Sequence, residues 1–124
     1  SACMHCRPSG PRTHKRWPFR HRVAVSKCIS DDVALNENAD PTVRADMERH
    51  FNQLAPENAP HYVHTYEGPD DMPAHIRSVL TGSELTLPVS GGRPTLGTWQ
   101  GVYLWEHRRR PHRRSITVTV MGEA

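Results

Sequence analysis

The spacing of apolar side chains changes along the chain, and each change marks a different kind of element. Between residues 40 and 55 they recur at helical intervals: Val43, Met47, Phe51 and Leu54 share one face, with Arg44, Asp46, Glu48 and Arg49 off it. Asp40-Pro41 is a helix start, since the Asp side chain can accept from free backbone N–H groups and Pro loses nothing in the first turn. Pro56 ends this helix at Leu54 or Ala55, because the residue before a proline is pushed out of the helical region. A second helix is expected from about Pro73 to Leu80, with Ile76, Val79 and Leu80 inward and Gly82 as its C-terminal cap.

Beyond Gly82 the period becomes two. Leu85, Leu87 and Val89 alternate with Thr86 and Pro88, Ser90-Gly91-Gly92 supplies hairpin-turn chemistry, and Pro88 puts that strand at an edge or near its end. Thr98 to Trp105 is the strongest strand pattern, with Trp99 and Gln100 on opposite faces. A basic loop from His107 to Arg114 follows, then a strand with Ile116, Val118 and Val120 on one face. Between Pro56 and Pro73 lies a polar connection in which Tyr62 to Tyr66 reads as a short strand. Ser1 to Arg22 shows no period and reads as irregular, and Val23, Val25 and Ile29 outline one more short strand. Two helices ahead of three strands predict a single α+β domain with a mostly antiparallel sheet.

Length is consistent with one domain, since 124 residues leave no room for a second. With 35% hydrophobic and 6% aromatic residues the core is lean, and association with other copies would help it. There is no apolar run of about 18 residues and no leader-like N-terminal stretch, so the expectation is a cytoplasmic protein away from membranes. Charge is divided unevenly. Residues 1–30 carry seven Lys or Arg and no acid, whereas from Asp31 onward nine basic side chains face thirteen acidic ones. The basic character therefore belongs to a segment, and nucleic acid is not the expected partner, although a binding module using that arm is the alternative to an enzyme. Cys3, Cys6 and Cys28 are odd in number and lack a second pair at zinc-site spacing.

Candidate chemistry gathers in the polar connection. His64 and His75, eleven residues apart, could together hold a divalent metal or move a proton, the bland alternative being a loop hydrogen bond and a helix cap. Glu67, Asp70 and Asp71 could gather around a cation, though Asp71 also suits the N-terminal dipole of the second helix. Capping explains Asp40 fully, whereas Glu37 and Asn38 have no periodic reason for their places. Trp99 reads as core or a subunit contact, and Gln100 as a polar ligand contact. Arg113 and Arg114 could clamp phosphate, or stay solvated.

The run Asn36-Glu37-Asn38-Ala39-Asp40-Pro41, the stretch from Tyr62-Val63-His64 to Ala74-His75-Ile76, Gly82-Ser83, Leu87-Pro88 and Leu96-Gly97-Thr98-Trp99-Gln100-Gly101 agree in order and spacing with the YjbQ-like family. So do Glu106 and Arg113-Arg114. From Leu35 to Glu123 the chain therefore resembles that family, whose usual label is secondary thiamine-phosphate synthase. The resemblance implies an α+β homotrimer with a bound metal, Zn or Mg, and a transferase joining hydroxymethylpyrimidine diphosphate to thiazole phosphate. On that reading His75, Glu37 and Gln100 are catalytic, Asn36, Asn38, Trp99 and Arg114 bind the phosphorylated substrate, and His64 and His75 hold the metal.

Residues 1–34 depart from the family pattern. Members enter Asn-Glu-Asn-Ala-Asp-Pro from a strand ending in a His-Thr-Ser-Ala-like motif, whereas here Cys28 stands near the place of the histidine. A divergent extension and a reading-frame error upstream of Leu35 are the two explanations, the second favoured by the abrupt switch to Arg, Pro, His and Cys. An inactive scaffold is the corresponding alternative to an active enzyme.

Overall fold

The computed structural model describes residues 20–26, as backbone, and residues 30–122. Its elements are β1 (Arg20–Ser26), β2 (Asp31–Glu37), α1 (Pro41–Leu54), α2 (Asp71–Thr81), β3 (Glu84–Ser90), β4 (Arg93–Pro94), β5 (Gln100–Glu106) and β6 (Ile116–Gly122). A four-stranded antiparallel sheet has the order β4-β3-β1-β6, and β2 and β5 form a separate two-stranded antiparallel ladder. The α+β class is as expected from the sequence. Order starts before Leu35, however: Arg20 to Arg22, read as irregular, belong to β1, the strand that β3 and β6 flank. The pairing of both neighbours with β1 supplies the order that local periodicity did not show.

Helix α1 follows its sequence signals closely. Asp40 caps it by accepting from the Thr42 N–H at 2.8 Å and the Thr42 hydroxyl at 2.7 Å, and these bonds hold the Asp40 carboxyl below the usual carboxylate range. The other end closes with the Ala55 N–H on the Phe51 carbonyl at 2.9 Å, one residue before Pro56. Val43, Met47 and Phe51 of the expected inward face are half-buried, Leu54 is exposed, and no α1 residue is fully buried. Phe51 meets Trp105 of β5 edge to face, with ring centroids 5.0 Å apart.

Helix α2 begins at Asp71, two residues ahead of Pro73, and ends at Gly82, whose N–H reaches the Ser78 carbonyl at 2.9 Å. Its inward face differs from the expected one. Val79 is 85% exposed and Leu80 is exposed, while Asp71, Pro73 and Ala74 are buried. Asp71, Ala74, Ser78 and Thr81 line one side of the helix at steps of three and four. On that side Asp71 meets Arg108 and Thr81 donates to the buried Asp32 carboxylate, while the Ser78 Oγ is buried without a hydrogen bond.

Two strand expectations are corrected. Tyr62 to Tyr66 is not a strand: it runs through turns, with the Tyr62 N–H on the Ala59 carbonyl at 3.0 Å, and Val63 and Tyr66 stand out in solvent with no ladder to join. Thr98 and Trp99 precede β5 rather than belonging to it, because the Gln100 N–H turns back to the Gly97 carbonyl at 3.1 Å. Trp99 is therefore not opposite Gln100 on a strand, and at 66% exposure it is no core residue of this chain. The hairpin expectation holds. Gly91 and Gly92 both have positive φ (57° and 78°), as a two-residue turn matching strand twist requires, and β3 is an edge strand except where short β4 pairs with its end.

Candidate functional site

His64 from the connection before α2 and His75 from the second turn of α2 converge on Asp71, the first residue of that helix. Asp71 and His75 are four residues apart and so share a helical face. The His64 Nε2 lies 2.9 Å and the His75 Nε2 3.5 Å from the Asp71 Oδ2, and the imidazole centroids are 5.3 Å apart. Asp71 is buried, its side chain 3% exposed, whereas His64 is 51% and His75 27% exposed. Close as they are, neither ring aims an N–H at Oδ2, which is buried and accepts no hydrogen bond. One donor atom from each residue lies within 4.8 Å of the others. Two imidazole nitrogens and a carboxylate oxygen this close together could hold a cation. Two histidines and a carboxylate suit Zn²⁺-like ions better than Mg²⁺, which prefers oxygen ligands and retained waters.

Behind this trio sits Arg108. Its Nη1 donates to the Asp71 Oδ1, its Nε to the Asp70 Oδ2 at 3.2 Å and its Nη2 to the Glu67 carbonyl at 2.8 Å. Glu67, Asp70 and Asp71 thus do gather around a cation, and within the chain that cation is a guanidinium. Burial pushes the Asp70 carboxyl up, but bonds from the Arg109 N–H and from Arg108 outweigh it and leave the carboxyl below its ordinary range. Arg108 itself stays firmly charged: burial works against its proton, and the neighbouring acids more than restore it.

The remaining sequence-named residues fall into two other places. Glu37 pairs with Gln100 and Asn36 with Gly101 at one end of the β2–β5 ladder, and the Asn38 N–H donates to the Trp99 carbonyl at 2.7 Å. The Tyr103 hydroxyl lies 2.8 Å from the Glu37 carbonyl and 2.6 Å from the Asn38 Oδ1. Gln100 turns its side-chain oxygen to the Gly97 N–H at 2.7 Å. At the other end Arg114 forks onto Glu106 at 2.7 and 2.5 Å and reaches the Ser30 hydroxyl at 3.1 Å. Seven-residue strands separate the two ends by about 20 Å. Arg108, two residues past β5, ties the His64–Asp71–His75 trio to the Arg114 end. Within one chain, Glu37 and Gln100 do not meet the histidines.

Sequence reasoning missed a second acid–imidazole group. His107 and Asp32 are wholly buried and joined at 2.8 Å, with Thr81 on the same carboxylate oxygen. Beside them Asp31 is buried 3.9 Å from Arg114. Arg108 was missed for a related reason, as its partners lie 37 to 41 residues away and no local spacing announces them. Cys3, Cys6 and Cys28, and with them any ligand role for these thiols, lie outside the described residues. A cavity of about 280 Å³ opens between α1 and the β2–β5 ladder, lined by Val33, Leu35, Met47, Leu85 and Trp105 among others, and none of the trio lines it. No described helix is long and apolar enough to cross a membrane.

Comparison with known proteins adds four findings. Residues 23–123 match the family described as "UPF0047 protein YjbQ-like", so the agreement reaches further towards the N-terminus than the motifs from Leu35 onward. UPF0047 protein YjbQ of Salmonella typhimurium is 57% identical over 94 residues, 76% of this chain and 67% of that protein. A UPF0047 protein of Synechocystis is 54% identical over 94 residues, covering 76% of this chain and less than two thirds, 64%, of its own length. Among solved structures, a conserved hypothetical protein of Thermus thermophilus superposes with a TM-score of 0.75 at 34% identity, covering 82% of this chain and 77% of the other.

Proposed function

We propose, from the premise that this chain belongs to the UPF0047 YjbQ-like family, that it binds a divalent, Zn²⁺-type ion at His64, Asp71 and His75 and acts there on a small phosphorylated ligand. The observation that carries this reading is the Asp71 Oδ2: buried, without a hydrogen bond, and faced by two imidazole nitrogens. Burying a carboxylate oxygen without a partner is costly, and a shared cation removes the cost. The half-exposed histidines leave one side of the centre open to a ligand, the mark of a reactive rather than a closed structural site.

The family resemblance directs this centre towards transferase chemistry of the thiamine-phosphate synthase type. When bound, the ion supplies positive charge against oxygens of a departing diphosphate. The protein's part is to hold that charge in place: His64 and His75 as neutral donors, and Asp71 through the one oxygen that Arg108 leaves available. Self-association as a homotrimer belongs to the same proposal. Exposed Trp99, Val79 and Leu80 and the unburied α1 offer apolar surface to cover, and assembly would allow one copy's Glu37 and Gln100 to approach another's histidines.

Metal analysis of the purified protein by plasma mass spectrometry, run beside its native mass, tests the proposal. One equivalent of metal per chain in an oligomer is expected, with the metal lost in His75→Ala. A metal-free monomer would overturn it.

A further inference from the structure

Arg108 does more than neutralise nearby acids, because its three contacts fall on the two separate pieces of chain that bring the metal donors. Asp70 and Asp71 open α2, which carries His75; Glu67 lies three residues beyond His64 in the preceding connection. One guanidinium, 13% exposed, therefore spans the helix-borne and loop-borne halves of the trio. Through Nη1 it also engages the Asp71 Oδ1, leaving Oδ2 alone to face His64 and His75. A carboxylate held this way offers one oxygen rather than two, in a fixed direction.

The arginine is itself held in place. Its backbone N–H donates to the Glu106 Oε1 at 2.9 Å, and Glu106 is forked by Arg114. The preceding residue, His107, is buried on Asp32 and donates its N–H to the Ser30 carbonyl at 3.2 Å. The following residue, Arg109, donates its backbone N–H to the Asp70 Oδ2 at 2.9 Å. Residues 106 to 109 thus form a latch with anchors on either side of the guanidinium. Outer partners of this kind orient metal ligands and fix which atom is offered.

We propose that Arg108 is a positioning residue of the metal centre: it sets Asp71 as a one-oxygen ligand and keeps the His64 connection in register with α2. This rests on the metal reading above and adds to it a residue that touches neither metal nor substrate. Lysine cannot replace it, since an ammonium lacks the planar fork that reaches Asp71, Asp70 and Glu67 together.

Co²⁺ is the probe, because its visible bands report ligand geometry directly, with Zn²⁺ competition giving affinity. For the purified full chain, one Co²⁺ per chain is expected. Arg108→Ala should weaken metal binding by about 10–100-fold and alter the bands, as loss of an outer-shell partner does. Arg108→Lys should fall between the two, and Arg49→Ala, which breaks only an exposed pair with Asp46 on α1, should match the parent. Circular dichroism of the metal-free variants separates misfolding from mispositioning, and if Arg108→Ala does not fold, Arg108→Lys decides. Parent-like affinity and bands in a folded Arg108 variant would overturn the positioning role alone. No uptake of Co²⁺ or Zn²⁺ by the parent protein would overturn the metal reading and this role with it.

Discussion

Arg108 bonds one acid–imidazole group through Asp71 and follows the histidine of another in the chain, and the two, made from the same residue types, are built for opposite ends. In one, Asp32 and His107 are wholly buried, meet at 2.8 Å, and share Thr81. In the other, buried Asp71 faces two histidines that are partly in solvent and that aim no hydrogen bond at its inner oxygen. The first group is closed to solvent: His107 and Thr81 hold the Asp32 Oδ2, the Asp32 Oδ1 and His107 Nδ1 are buried without a hydrogen bond, and solvent touches neither the acid nor the ring. The second is open, with both histidines partly in solvent. Burial of the acid is common to both, so burial alone does not identify a site; what separates them is whether the imidazoles are already used and whether solvent reaches them.

The difference can be tested from its stability side first. His107→Ala leaves the Asp32 carboxylate buried beside a void, and should cost about 3–5 kcal/mol. Urea unfolding followed by circular dichroism measures it. If stability fell by less than about 1 kcal/mol, the closed group would be no structural anchor.

Acid should distinguish the latch next. Burial raises the Glu106 carboxyl, but the Arg114 fork, the Arg108 N–H and the charges of Arg114 and His112 bring it below its ordinary value. Asp70 is lowered likewise. A carboxyl depressed on folding stabilises above its unfolded value, near pH 4, and that contribution disappears as pH falls through the lower folded value. Urea midpoints measured downwards from pH 6 should therefore drop below about pH 4, with a shallower drop in Glu106→Gln. An unchanged slope in that variant would remove Glu106 from the account.

The smallest effect belongs to the open group. Without metal, His75→Ala should shift unfolding by no more than about 1 kcal/mol, because the ring makes no hydrogen bond that folding relies on. A loss as large as that from His107→Ala would mean that both groups are structural.

Legibility from sequence follows the same division. Helix α1 could be read to the residue because its signals, Asp40, Pro41 and Pro56, act on backbone within one turn of themselves. The hairpin at Gly91-Gly92 was legible for the same reason. His64 and His75 could be named as a pair, and Asp71 as an acid near the second helix, but the helix start expected at Pro73 hid that Asp71 opens α2 and faces both rings. The α2 orientation was not legible: apolar period favoured Val79 and Leu80, whereas the helix turns Asp71 and Thr81 inward towards partners that are distant in sequence. Asp32 and His107 are 75 residues apart, and Arg108 is 37 from Asp71. No pattern within one element carries such information, and a buried charge looks in sequence like any exposed one.

Gly101 has a consequence for the ladder that carries both ends of the molecule. A methyl group placed there would meet the Asn38 Cβ at 2.7 Å, closer than non-bonded carbons come. Among the described residues the ladder has two strands, with no third to fix its alignment. Sliding β5 by two residues in either direction keeps its faces but brings Trp99 or Tyr103, both aromatic, to the one position without space for a side chain. Gly101 therefore acts as a detent, admitting one alignment of β2 and β5. By that alignment a glycine at the far end sets where Arg108 emerges beside Asp71.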